Sequence, residues 1–105
     1  IETESVVHEN VIPESMYLMN NYPNPFNPST VIEYGLNEDA HVSIFVYNYL
    51  GQSVATLVNS FMSKGHYSVT WNGTNDVGEI QSTGIYFYKM TAGDFVEVKK
   101  MVLNR

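Results

Sequence analysis

The stretch Ala40-His41-Val42-Ser43-Ile44-Phe45-Val46-Tyr47-Asn48-Tyr49 decides the fold class. Val42, Ile44 and Val46 fall on one side of an extended chain, and Ser43, Phe45 and Tyr47 on the other. Side chains of a strand alternate with a period of two, so this stretch is a strand with one buried face. Its β-branched and aromatic residues suit a pleated, half-buried surface. A helix would need apolar residues at i, i+3 and i+4, and no segment of the chain sustains that period.

Similar segments continue on the C-terminal side. Leu50-Gly51-Gln52 is a turn, and Gln52–Val58 is the next strand. Asn59-Ser60-Phe61-Met62-Ser63 reads as a loop that buries Phe61. Ser63-Lys64-Gly65 turns the chain into His66–Trp71, where Tyr67, Val69 and Trp71 align. The Gly, Asn and Asp residues of Asn72–Gly78 make a loop. Gly84–Thr91 is a strand with Ile85 and Phe87 on one face and Tyr86, Tyr88 and Met90 on the other. Ala92-Gly93-Asp94 has the composition of a hairpin turn. Phe95–Leu103 returns from it, with Val96, Val98 and Val102 sharing a face. Lys100 falls on that same face, which predicts either a sheet end there or a bulge that turns Met101 and Leu103 inward.

On the N-terminal side, Ser29–Leu36 is a strand in which Val31 faces opposite to Ile32 and Tyr34, and Tyr17-Leu18-Met19 is a short one. About seven short strands therefore follow residue 16, with turn signals between them. The expected fold is all-β: an immunoglobulin-like antiparallel β-sandwich over residues 15–105. Residues 1–14 carry Glu2, Glu4, Glu9 and Glu14 without Lys or Arg. They read as an extended acidic tail or linker, or as a donor strand for a partner's sheet. Val6, Val7, Val11 and Ile12 are its possible subunit contacts.

Asn21-Tyr22-Pro23-Asn24-Pro25-Phe26-Asn27-Pro28 separates the first two strands. Proline fixes φ and lacks a donor, so this segment is neither helix nor central strand. It reads as a stiff, polyproline-like crossing, with Tyr22 and Phe26 free to plug into the core.

The chain has 105 residues, a mass of 11.9 kDa and a net charge of −6. That balance disfavours nucleic acid and anionic membrane surfaces, both of which select basic footprints. No apolar run approaches the roughly 18–20 residues of a membrane-spanning helix. Cysteine is absent, so disulfides and thiolate metal sites are excluded. The start at Ile1 reads as a fragment or a processed mature chain.

Asn21–Thr30 resembles the opening of the C-terminal sorting domains of the bacterial type IX secretion system. Further stretches resemble that family in the same order: Val46-Tyr47-Asn48-Tyr49-Leu50-Gly51, Val54–Val58, Gly65-His66-Tyr67, Trp71-Asn72-Gly73, Ser82–Tyr88 and Lys99–Leu103. The resemblance spans residues 15–105. The family is in turn similar to the immunoglobulin-like domain of the flagellar hook-cap protein. The resemblance implies a β-sandwich that serves as an export address and is often removed when cargo is attached to the surface. The carried-over binding residues are Tyr22, Pro23, Asn24, Pro25, Phe26, Asn27 and Pro28, with the terminal run Lys99, Lys100, Met101, Val102, Leu103, Asn104 and Arg105. Each of these also has an ordinary structural use, as a strand crossing and a final edge strand.

Residue chemistry adds little. His8, His41 and His66 have no metal-ligand spacing among them. No nucleophile elbow and no Gly-rich phosphate loop is present. Asn72, Asn75, Asp76 and Glu79 form a weak candidate calcium loop whose spacing is not that of an EF-hand. Asn72-Gly73-Thr74 matches a glycosylation sequon, read as a coincidence of turn residues. Tyr67, Trp71, Tyr86 and Tyr88 could present a sugar-binding stripe, although core packing is the ordinary use of such residues. Tyr47, Tyr49 or Tyr88, if exposed, would mark a contact surface.

No enzyme activity, cofactor, metal, membrane insertion or small-molecule substrate is expected. The expected location is secreted or at the bacterial cell surface. The expected partners are the secretion machinery, for a sorting and anchoring module, or copies of the chain itself, for a filament subunit that donates its tail as a strand.

Overall fold

The computed structural model describes residues 11–105. Its strands are β1 (Tyr17–Leu18), β2 (Thr30–Leu36), β3 (Ala40–Asn48), β4 (Ser53–Met62), β5 (Gly65–Trp71), β6 (Gly84–Ala92) and β7 (Phe95–Leu103). They form two antiparallel sheets, ordered β1-β2-β5 and β4-β3-β6-β7. This is the expected two-layer immunoglobulin-like sandwich.

The alternation read from the sequence decides which side chains meet between the sheets. Ile32, Tyr34 and Leu36 of β2 and Trp71 of β5 pack against Val42, Ile44 and Val46 of β3, Tyr86, Tyr88 and Met90 of β6, and Met101 and Leu103 of β7. The buried aromatic polar tips are satisfied, as burial demands. Tyr88 Oη donates to the Met19 carbonyl at 2.8 Å, Tyr86 Oη to the Ser82 carbonyl at 2.7 Å, and Trp71 Nε1 to the Thr74 carbonyl at 2.8 Å.

Two sequence expectations need correction. Phe61 is not buried in a loop: β4 runs on to Met62, and Phe61 is 69% exposed. Pairing with His41 places Phe61 on the outer face of the sheet. The strand was hard to follow because its pairing with β3 slips twice. Val58 lies opposite Ile44 but Thr56 opposite Phe45, and Ala55 lies opposite Val46 but Ser53 opposite Tyr47. Leu57 and Val54 are thus extra residues that break the period of two.

The second correction concerns β7. Neither a sheet end nor a bulge accounts for Lys100, because the β6–β7 register is unbroken from Ala92↔Phe95 to Gly84↔Leu103. Val96, Val98, Lys100 and Val102 share the outward face, while Met101 and Leu103 point into the core. The register starts from a two-residue turn, Gly93-Asp94. Positive φ occurs only at its first position (Gly93, +60°), the type II′ requirement.

Candidate functional site

The two segments singled out from the sequence meet at one corner. Tyr22 pairs with Val31 of β2, its N–H and carbonyl both bonded at 2.9 Å. Four residues on, Phe26 pairs in parallel with Leu103 of β7. Phe26 N–H donates to the Val102 carbonyl at 3.0 Å, and Asn104 N–H donates to the Phe26 carbonyl at 2.9 Å. Asn24 Oδ1 accepts the Val102 N–H at 3.0 Å. The Pro-rich segment is therefore a crossing from one sheet to the other, and it covers the C-terminal edge of β7. Its three Xaa–Pro bonds are cis.

Within that segment the aromatic residues divide. Phe26 is fully buried, with its ring centroid 5.7 Å from that of Trp71. Tyr22 does not plug into the core as expected: it is 79% exposed. Tyr22 is held by its backbone bonds to Val31, and with Met19, Asn20, Val31 and Glu33 it lines a shallow hollow of about 460 Å³. The start of the segment is pinned from inside, where Asn21 Nδ2 donates to Thr30 Oγ1 at 3.0 Å and Thr30 Oγ1 donates to the Pro23 carbonyl at 2.8 Å. Nothing in the periodicity marked Asn21 and Thr30 as buried.

The terminal run continues the corner. Arg105 N–H donates to Thr83 Oγ1 at 3.0 Å, its Nε to the Gln81 carbonyl at 2.7 Å and its Nη2 to the Gly73 carbonyl at 2.8 Å. The guanidinium thereby ties the end of β7 to the long β5–β6 loop. Gly73 makes room for it: its φ is +77°, and a Cβ there would lie 2.6 Å from Arg105 Nη2 and 3.2 Å from the Pro28 carbonyl. The sequence reading placed Gly73 and Thr83 in family-like stretches without linking either to Arg105, and it did not single out Gln81. Of the terminal run, Met101 and Leu103 are core, Lys100 is exposed, and Lys99 pairs with Glu97 at 3.1 Å.

The calcium-loop residues are engaged with partners inside the protein. Asn75 Oδ1 accepts the N–H groups of Val77 at 3.1 Å and Glu79 at 2.8 Å, and Asn75 Nδ2 donates to Glu79 Oε1 at 2.8 Å. Asp76 takes the Thr56 N–H on Oδ1 at 2.8 Å. Asn72 Oδ1 accepts the Thr74 hydroxyl at 2.7 Å. Among the described residues no group of three or more His, Cys, Asp and Glu could hold a metal ion. His41 contacts Asn59 and His66 contacts Tyr17, on different sheets.

Trp71, Tyr86 and Tyr88 are buried between the sheets, the core use preferred for them over a sugar-binding stripe. Trp71 and Tyr86 meet edge to face with centroids 5.2 Å apart. Tyr88, at 0% exposure, is no contact surface. Burial pushes its hydroxyl up to about 12, against a backbone hydrogen bond from Asn21 that lowers it, with the Glu97 carboxylate adding to the rise. Tyr49 is exposed. Val11 and Ile12 are also exposed, while Val6 and Val7 lie outside the described residues.

Residues 26–94 match the family described as FlgD Ig-like domain. The chain belongs to that family. Two solved structures share its fold. Dimeric latent PorU from Porphyromonas gingivalis aligns with this FlgD Ig-like domain at a TM-score of 0.68 and 20% identity, over 90% of this chain and 10% of PorU. PorZ, an essential bacterial surface component of the type IX secretion system of the same organism, aligns at 0.55 and 15% identity, over 86% of this chain and 11% of PorZ. The chain thus corresponds to about a tenth of either protein. A search of curated proteins finds no match.

Proposed function

We propose that this FlgD Ig-like domain is a non-catalytic export and surface-anchoring module of type IX secretion, recognised at the corner between the Pro-rich segment and the end of β7. One observation carries the reading. The two motifs that resemble sorting domains lie 78 positions apart in sequence yet share a hydrogen-bonded corner through Asn24 and Val102. That corner leaves the Tyr22 ring exposed. The fold shared with PorZ, a surface component of that system, supports the same reading. The partner is then the secretion machinery, and the location is the cell surface or the medium.

Deleting Lys99–Arg105 is an impure test, because it strips Met101 and Leu103 from the core. The sharper test uses a secreted reporter carrying this domain, with Tyr22→Ala and Arg105→Ala combined and folding checked by thermal melting. Accumulation of a folded reporter in the periplasm is expected. Wild-type secretion of that double variant would sink the proposal.

A second reading, a self-assembling filament subunit whose acidic tail adds to a neighbour's sheet, is favoured by the unpaired part of β7. It is tested by polymer loss on removing residues 1–14.

A further inference from the structure

β7 is covered along only part of its free edge. In an antiparallel ladder, successive residues point their N–H and carbonyl groups alternately to one neighbour and the other. Val102 turns both groups away from β6, toward Asn24 and Phe26. By the same parity Val96, Val98 and Lys100 direct theirs outward too. No described residue pairs with them, because β7 is the last strand of its sheet. β1, at the edge of the other sheet, is only two residues long, and on β4 the Asp76 carboxylate caps the Thr56 N–H. An open stretch with β-branched side chains is a template for a further strand.

The outer surface around this edge is apolar and basic. Val96 is 56% exposed and Val98 is 54% exposed. Lys89 lies opposite Val98, and Phe87 lies opposite Lys100. Phe45 and Tyr47 continue those two rows on β3. The outward positions of β3, β6 and β7 hold no carboxylate. In a chain of net charge −6, these outward positions among the described residues are thus free of acidic groups.

The same chain contains a segment of the opposite kind. Along an extended strand Glu2, Glu4 and Val6 share a face, with Thr3, Ser5 and Val7 on the other. The four-residue spacing from Glu2 to Val6 equals that from Lys100 back to Val96. Antiparallel addition sets Glu2 opposite Lys100, Glu4 opposite Val98 next to Lys89, and Val6 opposite Val96. Parallel addition would set Glu2 against Val96 and lose the charge pair. Cross-strand pairs of opposite charge and of β-branched residues are those that stabilise a sheet.

We infer that the open edge Val96–Lys100 of β7 accepts residues 2–6 of a second copy as an antiparallel strand. This deepens the self-assembly reading and rests on it. Because donor and acceptor are different surfaces, the contact is head-to-tail and extends into chains of subunits.

Sedimentation of the full chain across a concentration series tests this. Wild-type mass should rise with concentration. Val98→Pro should abolish the rise, since the N–H it removes faces outward and no bond to β6 is lost. Lys100→Glu should weaken association about fivefold, the effect of a cross-strand pair at the upper end of its range. Glu2→Lys, added to Lys100→Glu, should restore it, because these two residues face each other in the proposed register. A wild-type chain that stays monomeric overturns the inference together with the self-assembly reading. Association unchanged by Val98→Pro and Lys100→Glu overturns the edge assignment alone and leaves that reading standing.

Discussion

Asn24 Oδ1 accepts the backbone N–H of Val102 at 3.0 Å, and so fastens the Pro-rich crossing to the last strand. The contact occupies an edge position that a further strand would otherwise take. Phe26, two residues on, completes the join with backbone bonds to Val102 and Asn104 and a ring buried against Trp71. Phe26→Ala should cost about 3–5 kcal/mol, the range for emptying a buried aromatic site. Urea unfolding should show the lower midpoint with an unchanged slope. A loss under about 1 kcal/mol would mean that the crossing does not depend on its anchor.

Arg105 should hold the β5–β6 loop. Arg105→Ala removes donors to the Gln81 and Gly73 carbonyls. Hydrogen exchange should rise at the Gln81 amide, which donates to the Gly73 carbonyl, while the β6–β7 ladder stays protected. Gly73→Ala should also destabilise, by about 1–3 kcal/mol, since φ of +77° and the close Arg105 and Pro28 atoms both oppose a Cβ.

Gly35 lies under the ring of Tyr17, which occupies the space a Cβ at residue 35 would need. The aromatic ring covers the backbone that the missing side chain leaves bare. Gly35→Ala should push Tyr17 off β2, break its 2.7 Å contact with His66 and detach β1. The Tyr17 ring resonances should lose their contacts to β2 in NMR spectra, with β3, β6 and β7 unchanged.

Tyr88 predicts an alkaline limit to stability. Its pKa is pushed up to about 12 in the folded chain, against an ordinary value of 10.0. Between these values the unfolded chain loses a proton that the folded chain keeps. Stability is therefore full below pH 10 and falls as pH rises toward 12. Tyr17 and Tyr34, raised mainly by burial, act in the same direction. Tyr88→Phe should flatten part of that fall in urea titrations at pH 9 to 12, although it also removes the bond to Met19.

How much was legible follows from how local each signal is. β2, β3, β5, β6 and β7 announced themselves by alternation, and in β2, β3, β5 and β6 one of the alternating sets read from the sequence is the set that packs in the core. β4 did not, because the extra residues Val54 and Leu57 break its period, and its end was misread at Phe61. The inward turn of Met101 and Leu103 was visible, but the reason was not. Val96, Val98 and Val102 look like core residues, yet they occupy the outer face of the sheet. For the candidate site, both segments were recognisable from the residues they contain. That Tyr22 is exposed while Phe26 is buried was not, since the same aromatic spacing serves either arrangement.

Alternation, turn residues and proline chemistry act within a few positions of one another, so the residues alone determined an all-β sandwich of about seven strands and a Pro-rich crossing. Their charges alone set an acidic chain with few cations. Tertiary structure decided which strand edges stay open, which face of β7 is solvated, and that the crossing and the terminal run form one corner. These depend on hydrogen bonds between residues as far apart as Asn24 and Val102, and such pairings are selected only when both sheets close on a common core.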